Sequence, residues 1–289
     1  MIVLEVTFLV IFWAWAASGA LFLRQTFIPK TTAWVSAALD SVPSEAVRFQ
    51  ATDGLWLAGK KISADAGAPW LILCHGLGTN RDDLRDTAIA LHEAGFSLLL
   101  FDFRAHGGSD GRVTSFGWRE QRDLEGALAF LGSQPDVSSK PYGVFGLSMG
   151  GAVAIMVAAR DERIGAVAVD SIYSDLKASI AHHLKLLYNL PKVPFSLFVD
   201  FTYKLRFGVW PGHMSPRAAI GHLSPRPVFV IQGEADPRVP LTEAQMLIEA
   251  AKEPKELWLI RGGTHLGGLS IDPAAYHAKL IQFFRSSLK

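Results

Sequence analysis

The chain has 289 residues, enough for one large domain with a full core or for two small ones. Hydrophobic residues make up 49% and charged residues 19%, which excludes a disordered chain. A net charge of +1, from 28 basic and 27 acidic residues, carries no polyanion-binding signature, so nucleic acid is not an expected partner. The single cysteine, Cys74, excludes an internal disulfide framework and a cysteine-based zinc site.

Ile2 to Leu23 is apolar with one charge, Glu5. As a helix it would rise about 33 Å, enough to cross a hydrocarbon core of about 30 Å. Met1 to Thr7 lacks the Lys or Arg of a secretory signal, although Ala16-Ala17-Ser18-Gly19-Ala20 could mimic a cleavage site. Residues 1–24 are therefore expected as an uncleaved single-pass membrane anchor, with a cleaved signal or a buried or interfacial helix as alternatives. Arg24 and Lys30 place the remainder on the cytoplasmic side. Residues 25–45 read as a linker, and residues 46–289 as the main domain.

Ala46 to Gln50 and Leu55 to Ile62 are strand-like runs broken by Asp53-Gly54, a hairpin signal. Trp70 to Cys74 is a continuous apolar run, as in a strand buried on both faces. Asp82 to Ala94 is amphipathic and stops at Gly95. Strands follow at Phe96 to Phe101, Tyr142 to Leu147, Ala166 to Val169, Val228 to Ile231 and Leu257 to Ile260. Helices are predicted at Trp118 to Leu131, Met149 to Arg160, Thr242 to Lys252 and Pro273 to Phe284. This alternation predicts an α/β fold: a mostly parallel sheet covered by helices on both faces, with the hairpin as an antiparallel edge. Residues 174–224 break the pattern. Ala178 to Leu190 has helical spacing, Pro191 and Pro194 interrupt it, and aromatic residues follow, which predicts a helical lid insertion.

Gly146-Leu147-Ser148-Met149-Gly150 matches G-x-S-x-G between a buried strand and a helix, the setting of a nucleophile elbow. Read blandly, the serine only caps the helix. As a nucleophile, Ser148 needs a base within hydrogen-bond reach. His265, in the glycine-rich loop after the last strand, is the first candidate, and His106 is the rival. The base needs a carboxylate partner. Asp236, beyond the fifth buried strand, is the first candidate; Asp170 and Glu234 are rivals. A developing oxyanion needs backbone donors. The Met149 amide stands at a helix N-terminus, and the Leu77 amide lies in Cys74-His75-Gly76-Leu77-Gly78. His75 is expected to hold that loop, and Cys74 to be a buried small residue.

Five blocks in order carry a resemblance: His75-Gly76-Leu77-Gly78, Asp102 to Ser109, Gly146 to Gly150, Gly233 to Asp236 with Val239-Pro240, and Gly263-Thr264-His265. With them the sequence resembles the α/β-hydrolase superfamily over Val47 to Ser287, and within it the Bem46/ABHD13-like serine hydrolases. The resemblance implies an α/β-hydrolase fold, Ser148 as nucleophile, Asp236 as acid, His265 as base, and the Leu77 and Met149 amides as oxyanion hole. It implies a serine hydrolase cleaving carboxylic esters through an acyl-enzyme, with no metal or organic cofactor. Ala105 stands where the family commonly has glycine. The aromatic insertion and the expected anchor point to an apolar or lipid-like acyl substrate. A thioesterase or serine peptidase of the same fold, and a catalytically silent membrane-anchored binding protein, are the alternatives.

Overall fold

The computed structural model of the chain describes residue 13 and residues 15–24, 42–137 and 141–288. The apolar runs form the centre of one eight-stranded sheet: β1 (Glu45–Gln50), β2 (Trp56–Ile62), β3 (Trp70–Cys74), β4 (Ser97–Phe101), β5 (Tyr142–Leu147), β6 (Ile164–Asp170), β7 (Val228–Gly233) and β8 (Lys255–Ile260). Their order is β1-β2-β4-β3-β5-β6-β7-β8. The hairpin β1–β2 is antiparallel and β2 joins β4 antiparallel; the other pairs are parallel. The longer helices are α1 (Arg85–Glu93), α2 (Gln121–Gly132), α3 (Met149–Ala158), α4 (Leu176–Tyr188), α5 (Lys192–Phe207), α6 (Leu241–Ala250) and α7 (Pro273–Ser287).

Side chains alternate across the sheet, so the uniform apolar runs serve two cores. Ile72, Cys74, Leu99, Phe101, Val144 and Val167 pack with Leu124 and Leu128 of α2 and with the apolar side chains of α3. Leu71, Leu73, Leu98, Leu100, Phe145 and Phe229 pack with Leu91 of α1 and with Tyr276, Leu280 and Phe284 of α7. Each fully buried Leu or Phe contributes about 1.5–3 kcal/mol of transfer free energy, so the two layers fix the sheet and its loops together.

Boundaries differ from the sequence reading where side chains intervene. Helix α2 starts at Gln121 rather than Trp118, because the Glu120 carboxylate accepts from Thr114 Oγ1, Ser115 N and Oγ, and Gly117 N and folds the preceding segment into a turn. The first turn of the helix expected from Asp82 is a separate 3-10 turn, Arg81–Leu84, capped by Asn80. Pro191 and Pro194 interrupt the helical region as expected: α4 ends at Tyr188, Pro191 is extended at the start of α5, and Val193 leaves helical geometry (φ −106°, ψ 134°) directly before Pro194, after which α5 continues to Phe207. No strand interrupts residues 174–224, and the region is helical as expected: α4 packs against α5, and short helical turns follow.

Residues 15–24 are helical, and their end docks on the insertion. Phe22 is buried, with its ring 5.8 Å from Phe116 and 5.9 Å from Tyr203 of α5. Most of the expected anchor, residues 1–12 and 14, lies outside the described residues, as do residues 25–41 of the expected linker. Among the described residues no helix is long and apolar enough to cross a membrane.

Candidate active site

Parallel strands deliver their following loops to one edge of the sheet, where α/β folds place ligands. Here β3 leads to His75–Gly78, β5 to Ser148, β6 to Asp170, β7 to Asp236 and β8 to His265.

Ser148 sits between β5 and α3 with φ 48° and ψ −117°, a backbone state that a non-glycine residue holds only under strain from its surroundings. Close packing enforces it. A Cβ on Gly146 would stand 2.5 Å from the Gly151 Cα, and one on Gly150 would run into the Cys74 and His75 carbonyls. Ser148 N–H donates to the Asp170 carbonyl at 2.8 Å, and its side chain makes no capping bond to α3, against the bland reading. Met149 is the first residue of α3, so its N–H has no acceptor within the helix and lies at the positive end of the dipole.

His265 and Asp236 meet directly: His265 Nδ1 is 2.8 Å from Asp236 Oδ2. The other carboxylate oxygen accepts from the Arg238 amide at 2.8 Å and the Val239 amide at 3.0 Å. Burial alone would raise the Asp236 pKa. The hydrogen bonds from His265, Val239 and Arg238 outweigh it and hold the group below the usual carboxylate range.

The rivals are engaged elsewhere. Asp170 is fully buried and accepts from Tyr276 Oη at 2.6 Å and Ser171 Oγ at 2.8 Å. Burial pushes its pKa up to about 6 despite those bonds. Glu234 is exposed. His106 uses both ring nitrogens: Nδ1 donates to the Arg104 carbonyl at 2.8 Å, and Nε2 accepts from the Gly78 amide at 3.1 Å. His75 Nδ1 donates to the Gly76 carbonyl at 2.7 Å, and its Nε2 accepts from the Phe103 amide at 3.0 Å. The two imidazoles thus clamp the loop that carries Leu77. Cys74 is buried in β3, where burial drives its thiol pKa far upward and keeps it unreactive.

Ser148, His265, Leu77 and Met149 line one cavity of about 260 Å³. The sheet loops form its floor and α4 its far wall, through Leu176, Ile180, Leu184 and Leu187. Leu21 and Phe22 of the N-terminal helix, Phe116, Tyr188 and Val199 add to the apolar lining. The structure therefore joins Asp236 to His265 and brings Ser148, Leu77 and Met149 to the same cavity as His265.

Several contributors were not singled out in the sequence. Ser171, at φ 56°, accepts from the Leu266 amide at 3.3 Å and donates to Asp170, tying the His265 loop to β6. His183 lines the cavity from α4 and is bonded to the carbonyl of Ser179, one helical turn earlier. His182 Nε2 lies 2.8 Å from the Pro237 carbonyl, pinning α4 to the Asp236 loop. Among the described residues no group of His, Cys, Asp or Glu is arranged to hold a metal ion.

Similarity to known proteins agrees with this architecture. YfhR of Escherichia coli (strain K12) is 30% identical over 258 residues, covering 86% of this chain and 83% of that protein. YqkD of Bacillus subtilis (strain 168) is 29% identical over 216 residues, covering 74% of this chain and 70% of that one. Among solved structures, the Pyrococcus furiosus esterase Pf2001 superposes with a TM-score of 0.75 at 27% identity, covering 91% of this chain and 98% of the esterase. Residues 71–279 match the alpha/beta hydrolase family, and the chain belongs to that family.

Proposed function

We propose that this protein is a serine hydrolase that cleaves carboxylic esters, with Ser148 as nucleophile, His265 as base, Asp236 as acid and the Leu77 and Met149 amides as oxyanion hole. The observation that carries the reading is the 2.8 Å bond between His265 and Asp236 in the wall of the cavity that also holds the strained Ser148. The similarity to the Pf2001 esterase supports ester cleavage.

In the first step Ser148 Oγ attacks the ester carbonyl while His265 takes its proton. Asp236, kept ionised by its amide bonds, steadies the imidazolium. The oxyanion is met by two backbone donors, and the alcohol leaves with the proton from His265. Water then attacks the acyl-enzyme by the same route in reverse. No step calls for a metal or organic cofactor.

The cavity lining favours an apolar acyl group, since leucines, Phe22, Phe116 and Val199 surround the space beyond the serine. The five sequence blocks support membership of the Bem46/ABHD13-like serine hydrolases. The test is hydrolysis of p-nitrophenyl esters of rising acyl length. The reading expects turnover that Ser148→Ala removes, with kcat/KM rising from acetyl to medium chains. Equal rates for every chain length count against the apolar pocket, and turnover untouched by Ser148→Ala counts against the assignment.

A further inference from the structure

Helix α5 carries large apolar side chains on its outer as well as its inner side. Its inner face buries Ser196, Val199, Asp200, Tyr203 and Phe207. Its outer face carries Leu197, Phe201 and Leu205 at a spacing of four, exposed by 53%, 46% and 66%, with Val193, 63% exposed, at its start. Solvent-facing stripes on a helix are ordinarily polar, so three aligned large hydrophobes need an apolar environment outside the protein. The patch continues across the α4–α5 corner through Leu186, Leu187 and Tyr188, all exposed.

Charge indicates what covers the patch. From Leu176 to Gly208 the chain carries five basic residues, Lys177, Lys185, Lys192, Lys204 and Arg206, and one acidic residue, Asp200, which is buried. The remaining chain carries 23 basic and 26 acidic residues, so positive charge is concentrated on the insertion. A helix with Leu and Phe on one face and Lys and Arg beside them suits the boundary of an anionic bilayer, where the apolar side chains enter the acyl region and the cations reach the headgroups. The helix of residues 15–24 supplies a second, independent pointer. It docks on α5 through Phe22 against Tyr203 of the inner face and through Gly19 against Thr202, the neighbour of Phe201, and the sequence preceding it is the apolar run from Ile2.

We infer that the outer face of α5 and the α4–α5 corner rest on an anionic lipid bilayer, and that the cavity opens toward it. Leu187 and Tyr188 are both exposed and part of the cavity lining, so the patch and the cavity share an edge. The substrate class is then an ester dissolved in the bilayer, a refinement that rests on the proposed ester cleavage; the docking surface itself does not.

The test uses the full chain in lipid nanodiscs of phosphatidylcholine alone or with phosphatidylglycerol. Cys74 is buried, so a single added cysteine can be labelled selectively. Leu197→Cys, Phe201→Cys and, as a control at the end of α2, Ser133→Cys each receive an environment-sensitive fluorophore. The inference expects blue-shifted emission and protection from aqueous iodide at 197 and 201, strongest with phosphatidylglycerol, and neither effect at 133. Emission at 197 and 201 that matches the control in both lipids overturns it. So does disulfide cross-linking between copies of the unlabelled Phe201→Cys variant, which would place a second copy on the stripe. A second arm compares a long-chain ester held in nanodiscs with soluble p-nitrophenyl acetate. Phe201→Asp should lower the ratio of the two rates about tenfold or more. If wild type cleaves neither ester, the proposed activity fails while the fluorescence result still decides the docking surface.

Discussion

Asp236 gives one carboxylate oxygen to His265 Nδ1 at 2.8 Å and the other to the amides of Arg238 and Val239. The acid is thereby fixed to its own loop before it orients the imidazole. A carboxylate held from both sides favours one tautomer of His265, with Nε2 left for the proton of Ser148.

The first prediction follows from that geometry. Asp236→Asn keeps the shape but not the charge, and kcat should fall about 1,000- to 10,000-fold with KM little changed. His265→Ala should lose about as much, and combining it with Ser148→Ala should add little further. Steady-state kinetics on a soluble ester checks both. Losses that multiply in the double variant would show that the residues do not act as one unit.

The clamp on the Leu77 loop makes stability depend on pH. Burial, and for His75 also the nearby His106, holds both imidazoles below the ordinary histidine range. In the unfolded chain each takes a proton near pH 6.5 (about the free value), so below that the unfolded state binds more protons. Stability is therefore full above about pH 6.5 and falls as pH drops toward the folded values, by up to about 1.4 kcal/mol per pH unit for each histidine. Urea melts at several pH values between about 7.5 and 5 measure the slope. His106→Asn, which retains an acceptor for the Gly78 amide, should flatten it by about one proton.

Close backbone approach at the elbow predicts a packing defect. In Gly150→Ala the new methyl meets the Cys74 and His75 carbonyls and must push the β3 loop away from α3. The expected cost is about 3 kcal/mol of stability, together with lost turnover because Leu77 moves with the loop. Denaturant melts and kcat, measured on the same preparation, test both parts.

Ala105 is a position where two effects oppose each other. Its φ of 66° is left-handed, so the glycine common in the resembled family would relieve about 1–2 kcal/mol of strain. Ala105 is also fully buried, and losing its methyl costs about 0.8 kcal/mol, with further loss from the freer unfolded chain. Ala105→Gly should therefore lie within about 1 kcal/mol of wild type, while Ala105→Val, branched at a left-handed position, should cost several times more. Thermal melts of the two variants give the comparison.

The sheet and the site loops were legible because their signals are local. Uninterrupted apolar runs identified β3 to β7, and Gly95 marked the end of α1. The G-x-S-x-G turn and the Gly-rich His265 loop each lie directly after a strand. Asp236 over Asp170 was read from its place in the chain; the structure adds that Tyr276, distant in sequence, occupies the Asp170 carboxylate. Ser171 stayed hidden because its role depends on a left-handed backbone that no propensity for serine signals. Pro191 and Pro194 were legible as an interruption and do separate α4 from α5; the second long helix that begins at them was not legible. Burial of Phe22 against Tyr203 joins residues from opposite parts of the chain, and an apolar run alone cannot separate lipid from protein as its surroundings.

Reaction with a fluorophosphonate probe, followed by mass mapping of the adduct, tests the activated serine without knowledge of the substrate. The account predicts a single adduct on Ser148, absent in Ser148→Ala and formed much more slowly in His265→Ala and Asp236→Asn. Failure of the folded wild-type protein to react, or an adduct on another residue that persists in Ser148→Ala, would contradict it.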